Sequence, residues 1–299
     1  IDPYEIIFGK KIYGSIGGNI SIEKNMKLFD KIVEKNKYLF NTFVYKTYNL
    51  KNINVAINNF KNGKIIRPLI RIWMPEINLL NKYPKSKRPL DERKSNVTEQ
   101  MREISRKFDK EYFDGNRMYG YGGYKYHEKF WYETVREFYN FYKMHDKFSI
   151  LDVGCGKGFM MFEFLKLNPN LKIEGIDISN YAKENAKQEV KDLIKVGNAT
   201  NLPFKDKSFD LIISINTIHN LDLENLKKSL YEINRVSKKH AFLTVDAWRN
   251  DVEKERMLAW NLTAKTYMHV DEWKKLFKDC EYNKDYYWFI PWLKNLILI

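Results

Sequence analysis

The sequence predicts an α/β fold, a doubly wound and mostly parallel sheet carrying a small α+β appendage at its N-terminal side. Three observations predict it. From residue 148 onward, short apolar runs alternate with amphipathic ones, the pattern that lays parallel strands side by side with helices on both faces. Residues 150–158 pass from an apolar strand through Asp152 to glycines at 154, 156 and 158, and then into an apolar helical run. Residues 209–215 are nearly all apolar, as a strand covered on both faces requires.

Taken in order, residues 1–72 form a segment of their own. Residues 6–8 and 10–14 read as a strand leading into a turn at Gly17 and Gly18, and 26–35 as a helix. Ile53, Ala56, Ile57 and Phe60 repeat at helical spacing, with Gly63 placed to stop that helix, and 65–70 read as a closing strand. Residues 73–94, with Pro75, Pro84 and Pro89 among charges, are expected to be a linker. Residues 95–147 begin with a helix capped by Ser95 or Thr98. A stretch from Tyr112 to His127 follows, its tyrosines set among glycines, and then a helix over 130–144 with Trp131, Val135, Phe138 and Tyr142 on one face.

The last part, 148–299, carries strands at 148–153, 171–177, 193–196, 209–215 and 241–245. Helices at 159–167, from Ser179 to about 190, from Asp222, and from Asp271 separate or follow them. The final residues are expected to add one or two antiparallel edge strands, two of them completing a sheet of seven.

The formal charge of +14 reflects lysines spread along the chain, with no dense patch of the kind nucleic acid selects. Two cysteines, Cys155 and Cys280, have neither metal nor disulfide spacing, so no metal is expected and a reducing cytoplasm fits. The beginning of the sequence lacks a basic, apolar leader, and no run is long enough to span a bilayer.

Glycines at every second position after a strand bring backbone N–H groups against a ligand without a Cβ in the way. A dinucleotide fingerprint would place its third glycine at 159, which is Phe159. The D-x-G-x-G-x-G form of Asp152 to Gly158 resembles motif I of the class I S-adenosylmethionine-dependent methyltransferases. So do the strand ending in Asp177, the run GNATNLPF at 197–204, and DKSFDLIIS at 206–214. The resemblance covers residues from about 95 to 299. It implies that fold, S-adenosylmethionine as cofactor, and Asp152, Gly154, Cys155, Gly156, Gly158, Asp177, Ile178, Asn198, Ala199 and Asn216 as its binding residues. Asp177 would accept from the ribose hydroxyls. Asn198 stands where the family has an acid for the adenine amine, and its oxygen can still accept.

The acceptor is expected beyond the fourth of these strands, where His219 is the candidate base. Tyr119, Tyr121, Tyr124, Tyr126 and His127 are candidate lid or substrate residues, and Asp246 is placed to orient an acceptor. That region lacks the N/D-P-P-Y/F motif of amino methyltransferases and the Pro-Cys pair of cytosine-C5 enzymes, which disfavours a nucleic-acid base. The expected activity is methyl transfer to a small molecule at O, N or C, with no membrane partner. A ribonucleic-acid or protein acceptor stays open. Separately, GKKIYGSIGGN and NLKNINVAINNFKNGKIIRPLI within 1–72 resemble the C-terminal tail of zinc-dependent, medium-chain alcohol dehydrogenases. That keeps a nicotinamide oxidoreductase fragment as an alternative, although the segment holds neither cofactor glycines nor zinc ligands.

Overall fold

The structure is a computed structural model that describes residues 46–49, 53–65, 68–71, 76–84, 90–122 and 125–291. It divides the chain between Met74 and Pro75 into two compact units. In the first, strand β1 (Lys46–Asn49) pairs in parallel with β2 (Pro68–Arg71), and helix α1 (Ile53–Lys61) connects them. Ala56 on α1 is buried with Tyr48 and Ile65, and Asn59 donates to the Tyr48 hydroxyl at 2.9 Å. Gly63 adopts φ +67°, the left-handed conformation that ends a helix. The elements expected over 6–8, 10–14, 17–18 and 26–35 lie outside the described residues.

The second unit opens with ordered chain where the sequence suggested a linker. Glu76 bridges Tyr286, the Ile77 N–H donates to the Tyr286 carbonyl at 2.9 Å, and Leu79 is buried in the core. Four helices follow: α2 (Leu90–Asn96), α3 (Glu99–Ser105), α4 (Lys110–Asp114) and α5 (Glu128–Phe141). Thr98 caps α3 by accepting from the Met101 N–H at 3.2 Å, and Asp109 caps α4.

The sheet is built from β3 (Ser149–Val153), β4 (Lys172–Asp177), β5 (Ile194–Val196), β6 (Phe209–Ile215), β7 (Ser237–Trp248), β8 (Met268–His269) and β9 (Asp285–Phe289). Its order is β5-β4-β3-β6-β7, with β8 and β9 both pairing with β7. The intervening helices are α6 (Phe159–Leu167), α7 (Asn180–Glu184), α8 (Leu223–Val236), α9 (Asp251–Trp260) and α10 (Val270–Asp279). Neighbouring strand residues point to opposite faces. Ile150, Leu211, Ile213 and Phe242 pack with Val135 and Phe138 of α5 and with Phe164 of α6. Leu151, Ile212 and Leu243 pack on the other face with Leu226 and Ile233 of α8 and with Trp273 and Phe277 of α10.

One expectation needs correction. β9 pairs in parallel with β7, from Phe242 opposite Asp285 to Asp246 opposite Phe289, so it is not an antiparallel edge strand. An antiparallel neighbour follows a short turn, whereas α10 carries the chain back along the sheet before β9 begins, which makes the connection a parallel crossover. The helix expected over 179–190 is also shorter, since α7 ends at Glu184.

Candidate functional site

The carboxyl ends of β3, β4, β6 and β7 open into a cleft of about 760 Å³. That size and position suit a small-molecule or cofactor site at the switch point of an α/β sheet. The floor is the turn after β3. Gly154 adopts φ +81°, its N–H donates to the Ile176 carbonyl at 2.7 Å, and a Cβ there would collide with the Thr217 side chain. Gly158, at φ +71°, stands at the start of α6, where a Cβ would lie 2.7 Å from Val190 Cγ2. Both positions therefore require glycine, one for the conformation and the neighbouring strand end, the other for helix–sheet packing.

Asp177 ends β4 at the cleft wall. One carboxylate oxygen accepts the Gly156 N–H at 2.7 Å and the other accepts the Ser179 N–H at 2.9 Å. Burial raises its pKa, and the two bonded N–H groups of Ser179 and Gly156, with the nearby Ile178 N–H that makes no hydrogen bond to it, work against that rise. Each oxygen keeps a lone pair, so the carboxylate can still accept two hydroxyls. Asn216, at φ +52°, is locked to β7. Its N–H donates to Thr244 Oγ1 at 2.9 Å, and the Thr244 hydroxyl donates to its side-chain oxygen at 2.8 Å.

Asn198 spends one lone pair on the Thr200 N–H at 3.0 Å, which leaves its second lone pair and its amide hydrogens for a ligand. Ile178 and Ala199 also line the cleft. These groups fit an adenosine: an acid for the ribose, an amide for the base, and a half-buried backbone without a side chain at Gly156 on the cleft lining.

Asp152, Cys155 and Gly158 are not among the lining residues. Asp152 is buried, and burial followed by the nearby Asp177 charge pushes its pKa up to about 7. Burial likewise pushes the Cys155 thiol well up, which leaves it an inert part of the turn.

His219 lines the cleft but does not match the expected base. Its Nδ1 accepts the Asp246 N–H at 3.1 Å, so the hydrogen of the neutral ring sits on Nε2, where it can donate and cannot receive a proton. Burial depresses its pKa to about 3. Asp246 lies beside it at the end of β7, with one carboxylate oxygen 3.6 Å from Nδ1, and lines the same cleft.

His219 and Asp152 affect stability in opposite senses. His219 is neutral when folded down to about pH 3, whereas an unfolded histidine takes a proton near pH ~6.5, so this group loses stability as pH falls below that point. Asp152 keeps its proton up to about pH 7 in the fold but loses it near pH ~3.9 when unfolded, so this group loses stability as pH rises through that window. Relative to the native chain, His219→Asn is expected to gain about 1 kcal/mol per pH unit on going from pH ~6.5 to ~5. Asp152→Asn should gain as pH rises from ~4 to ~7. Denaturant titrations across pH check both, and differences that stay flat with pH would refute them.

Among the described residues, only part of the expected lid reaches the cleft. Tyr121 lines it, with its hydroxyl accepting the N–H groups of Leu262 at 2.7 Å and Thr263 at 3.2 Å. Tyr119 is not among the lining residues. Tyr126 donates instead to Glu163 and packs on Phe159 and Phe162, away from the cleft lining. His127 precedes α5 as its N-cap residue, and Tyr124 lies outside the described residues. Tyr112 and Phe113, at the start of the aromatic stretch, line the cleft from α4, and Thr217 and Trp260 line it as well. Asp109, a capping residue three positions before Tyr112, was the local signal for α4.

Among the described residues no cluster of metal-binding side chains occurs, and no helix is long and apolar enough to cross a membrane. Residues 151–245 match the methyltransferase domain family. The chain is 35% identical over 127 residues to a tRNA (carboxymethyluridine(34)-5-O)-methyltransferase of Arabidopsis thaliana, a stretch that is 42% of this chain and 30% of that protein. It is 32% identical over 127 residues to the malonyl-[acyl-carrier protein] O-methyltransferase of Legionella pneumophila, covering 41% and 44% of the two chains. The matched part thus spans less than half the length of either relative. The crystal structure of the YcgJ protein from Bacillus subtilis is similar with a TM-score of 0.41 and 21% identity, over 49% of this chain and 66% of that one. The resemblance of residues 1–72 to an alcohol dehydrogenase tail gains no support from these comparisons. Residues 151–245 are therefore similar to a methyltransferase domain, and S-adenosylmethionine is the methyl donor that this similarity implies.

Proposed function

We propose that the protein transfers a methyl group from S-adenosylmethionine to a small-molecule acceptor. The observation that carries this reading is the junction of Gly156 and Asp177, a backbone N–H and a ribose-accepting carboxylate joined at 2.7 Å on the wall of the cleft. The donor supplies an activated methyl on a sulfonium, so the chain has to hold it, aim it and keep water away. Gly154, Gly156, Asp177, Ile178, Asn198, Ala199 and Asn216 are the groups for holding. Asp246 and His219 face the acceptor, with His219 giving a fixed hydrogen bond from Nε2. With no histidine lone pair available there, the Asp246 carboxylate is the group left to take a proton, and a nucleophile that needs no strong base, such as a neutral nitrogen or an already ionised oxygen, suits the site.

The acceptor side is built largely from residues outside 151–245, among them Tyr83, Tyr112, Tyr121, Trp260 and Tyr287. The acceptors of the relatives therefore need not be shared. One observation favours a second reading, a ribonucleic-acid acceptor: the Arabidopsis relative is named for a tRNA uridine. Calorimetry with S-adenosylmethionine tests the first step, and absence of binding would end the proposal. Transfer of tritiated methyl to either the small-molecule or the tRNA fraction of a cell extract separates the two acceptor classes.

A further inference from the structure

Helix α4 brings an aromatic ring and a carboxylate onto the glycine turn from a distant part of the chain. Phe113 lines the cleft, and its Cε1 lies 3.4 Å from where a Cβ on Gly156 would stand, so the ring rests on the backbone that lacks a side chain. The same ring stacks on Tyr181 of α7, at 6.5 Å between centroids and 26° between planes. The next residue, Asp114, takes both carboxylate oxygens to Lys157 Nζ, at 2.6 and 2.5 Å. It also accepts the Tyr181 hydroxyl at 2.8 Å.

Lys157 occupies the variable position between Gly156 and Gly158, and it is only 7% exposed. A lysine there would ordinarily turn to water, and burying its ammonium is costly without a partner. Burial works to raise the Asp114 carboxyl's pKa, but hydrogen bonds from Lys157 and Tyr181 with the Lys157 charge outweigh it and leave the carboxyl below the usual range.

We propose that Phe113 is the outer wall of the methyl-donor pocket and that the Asp114–Lys157 ion pair is the clamp holding it on the turn, so that donor release requires the pair to part. This rests on the reading that S-adenosylmethionine occupies the glycine turn. Phe113 would contact the donor, and Asp114 and Lys157 are positioning residues that act through it. The far end of the segment is fastened separately, where the Arg93 guanidinium donates to the Arg117 and Gly120 carbonyls at 3.0 and 2.8 Å. Opening at Asp114 therefore need not unravel the rest.

The test is the release rate of tritiated S-adenosylmethionine from the full chain into an excess of unlabelled ligand. Asp114→Asn alone removes the counter-charge of a buried ammonium and can unfold the protein. The double variant Asp114→Asn with Lys157→Met removes both charges and carries the test, alongside Phe113→Ala. Both are expected to release the donor at least tenfold faster while their unfolding midpoints stay within a few degrees of the native chain. Native retention of tritium with unaltered release from the double variant overturns the clamp alone. A native chain that retains no tritium overturns the donor reading and the clamp with it.

Discussion

Replacing Asp177 by alanine is expected to weaken S-adenosylmethionine binding about a hundredfold. The carboxylate stands at the carboxyl end of β4 with one lone pair on each oxygen still to be filled. Two hydroxyls donating to a charged acceptor are worth roughly 1.5 kcal/mol each, and about 3 kcal/mol corresponds to about a hundredfold in the dissociation constant. The same substitution frees the Gly156 N–H, so part of the loss comes from a looser turn. Asp177→Asn separates the two contributions. It keeps an oxygen for Gly156 or for a hydroxyl but not for all of them, and an intermediate loss is expected. Calorimetry at one pH and one salt concentration gives the numbers. Unchanged affinity in the alanine variant would remove Asp177 from the site.

Much of this was legible in the sequence because it depends on neighbours in the chain. The turn from Gly154 to Gly158 follows from residue spacing, and the strand ending at Asp177 from a short apolar run that stops in an acid. Helix α8 follows from the cap Asp222 and its buried Leu226, Leu230 and Ile233, and the side chain of Asp222 does accept the Asn225 N–H at 3.0 Å. What was not legible depends on partners far away in sequence. The tautomer of His219 is set by the N–H of Asp246, twenty-seven residues on, and no local pattern encodes that bond. The tyrosines between 112 and 126 look alike in sequence. Tyr121 is nonetheless drawn to the backbone of Leu262 and Thr263, Tyr126 to Glu163, and Tyr112 to the cleft. The direction of β9 was misread because short apolar runs carry no sign of strand polarity. The length of chain between strands decides that, and here it contains a whole helix.

Trp273→Ala is expected to be the most damaging substitution for stability, at about 3–5 kcal/mol. Trp273 is fully buried on α10 among the residues packed against one face of the sheet, with the Phe277 ring 5.6 Å away. Its removal leaves a cavity that rigid sheet residues such as Leu243 and Val245 cannot close. It also strands a polar group, since the indole N–H donates to the Asp246 carbonyl at 2.9 Å. At about 2–4 °C per kcal/mol for a domain of this size, the unfolding midpoint should fall by roughly 6–20 °C. Trp273→Phe keeps most of the apolar volume and loses the hydrogen bond, so about 1–2 kcal/mol is expected there. The local consequence differs from the global one. Asp246 ends β7 on the proposed acceptor side, while Gly156 and Asp177, the groups proposed to hold the donor, hang from β3 and β4 on the other side of β6. Below its unfolding midpoint the phenylalanine variant should therefore bind S-adenosylmethionine with near-native affinity. A cost under 1 kcal/mol for Trp273→Ala in denaturant titration would mean that α10 does not cover the sheet as described, and the parallel crossover into β9 would have to be redrawn.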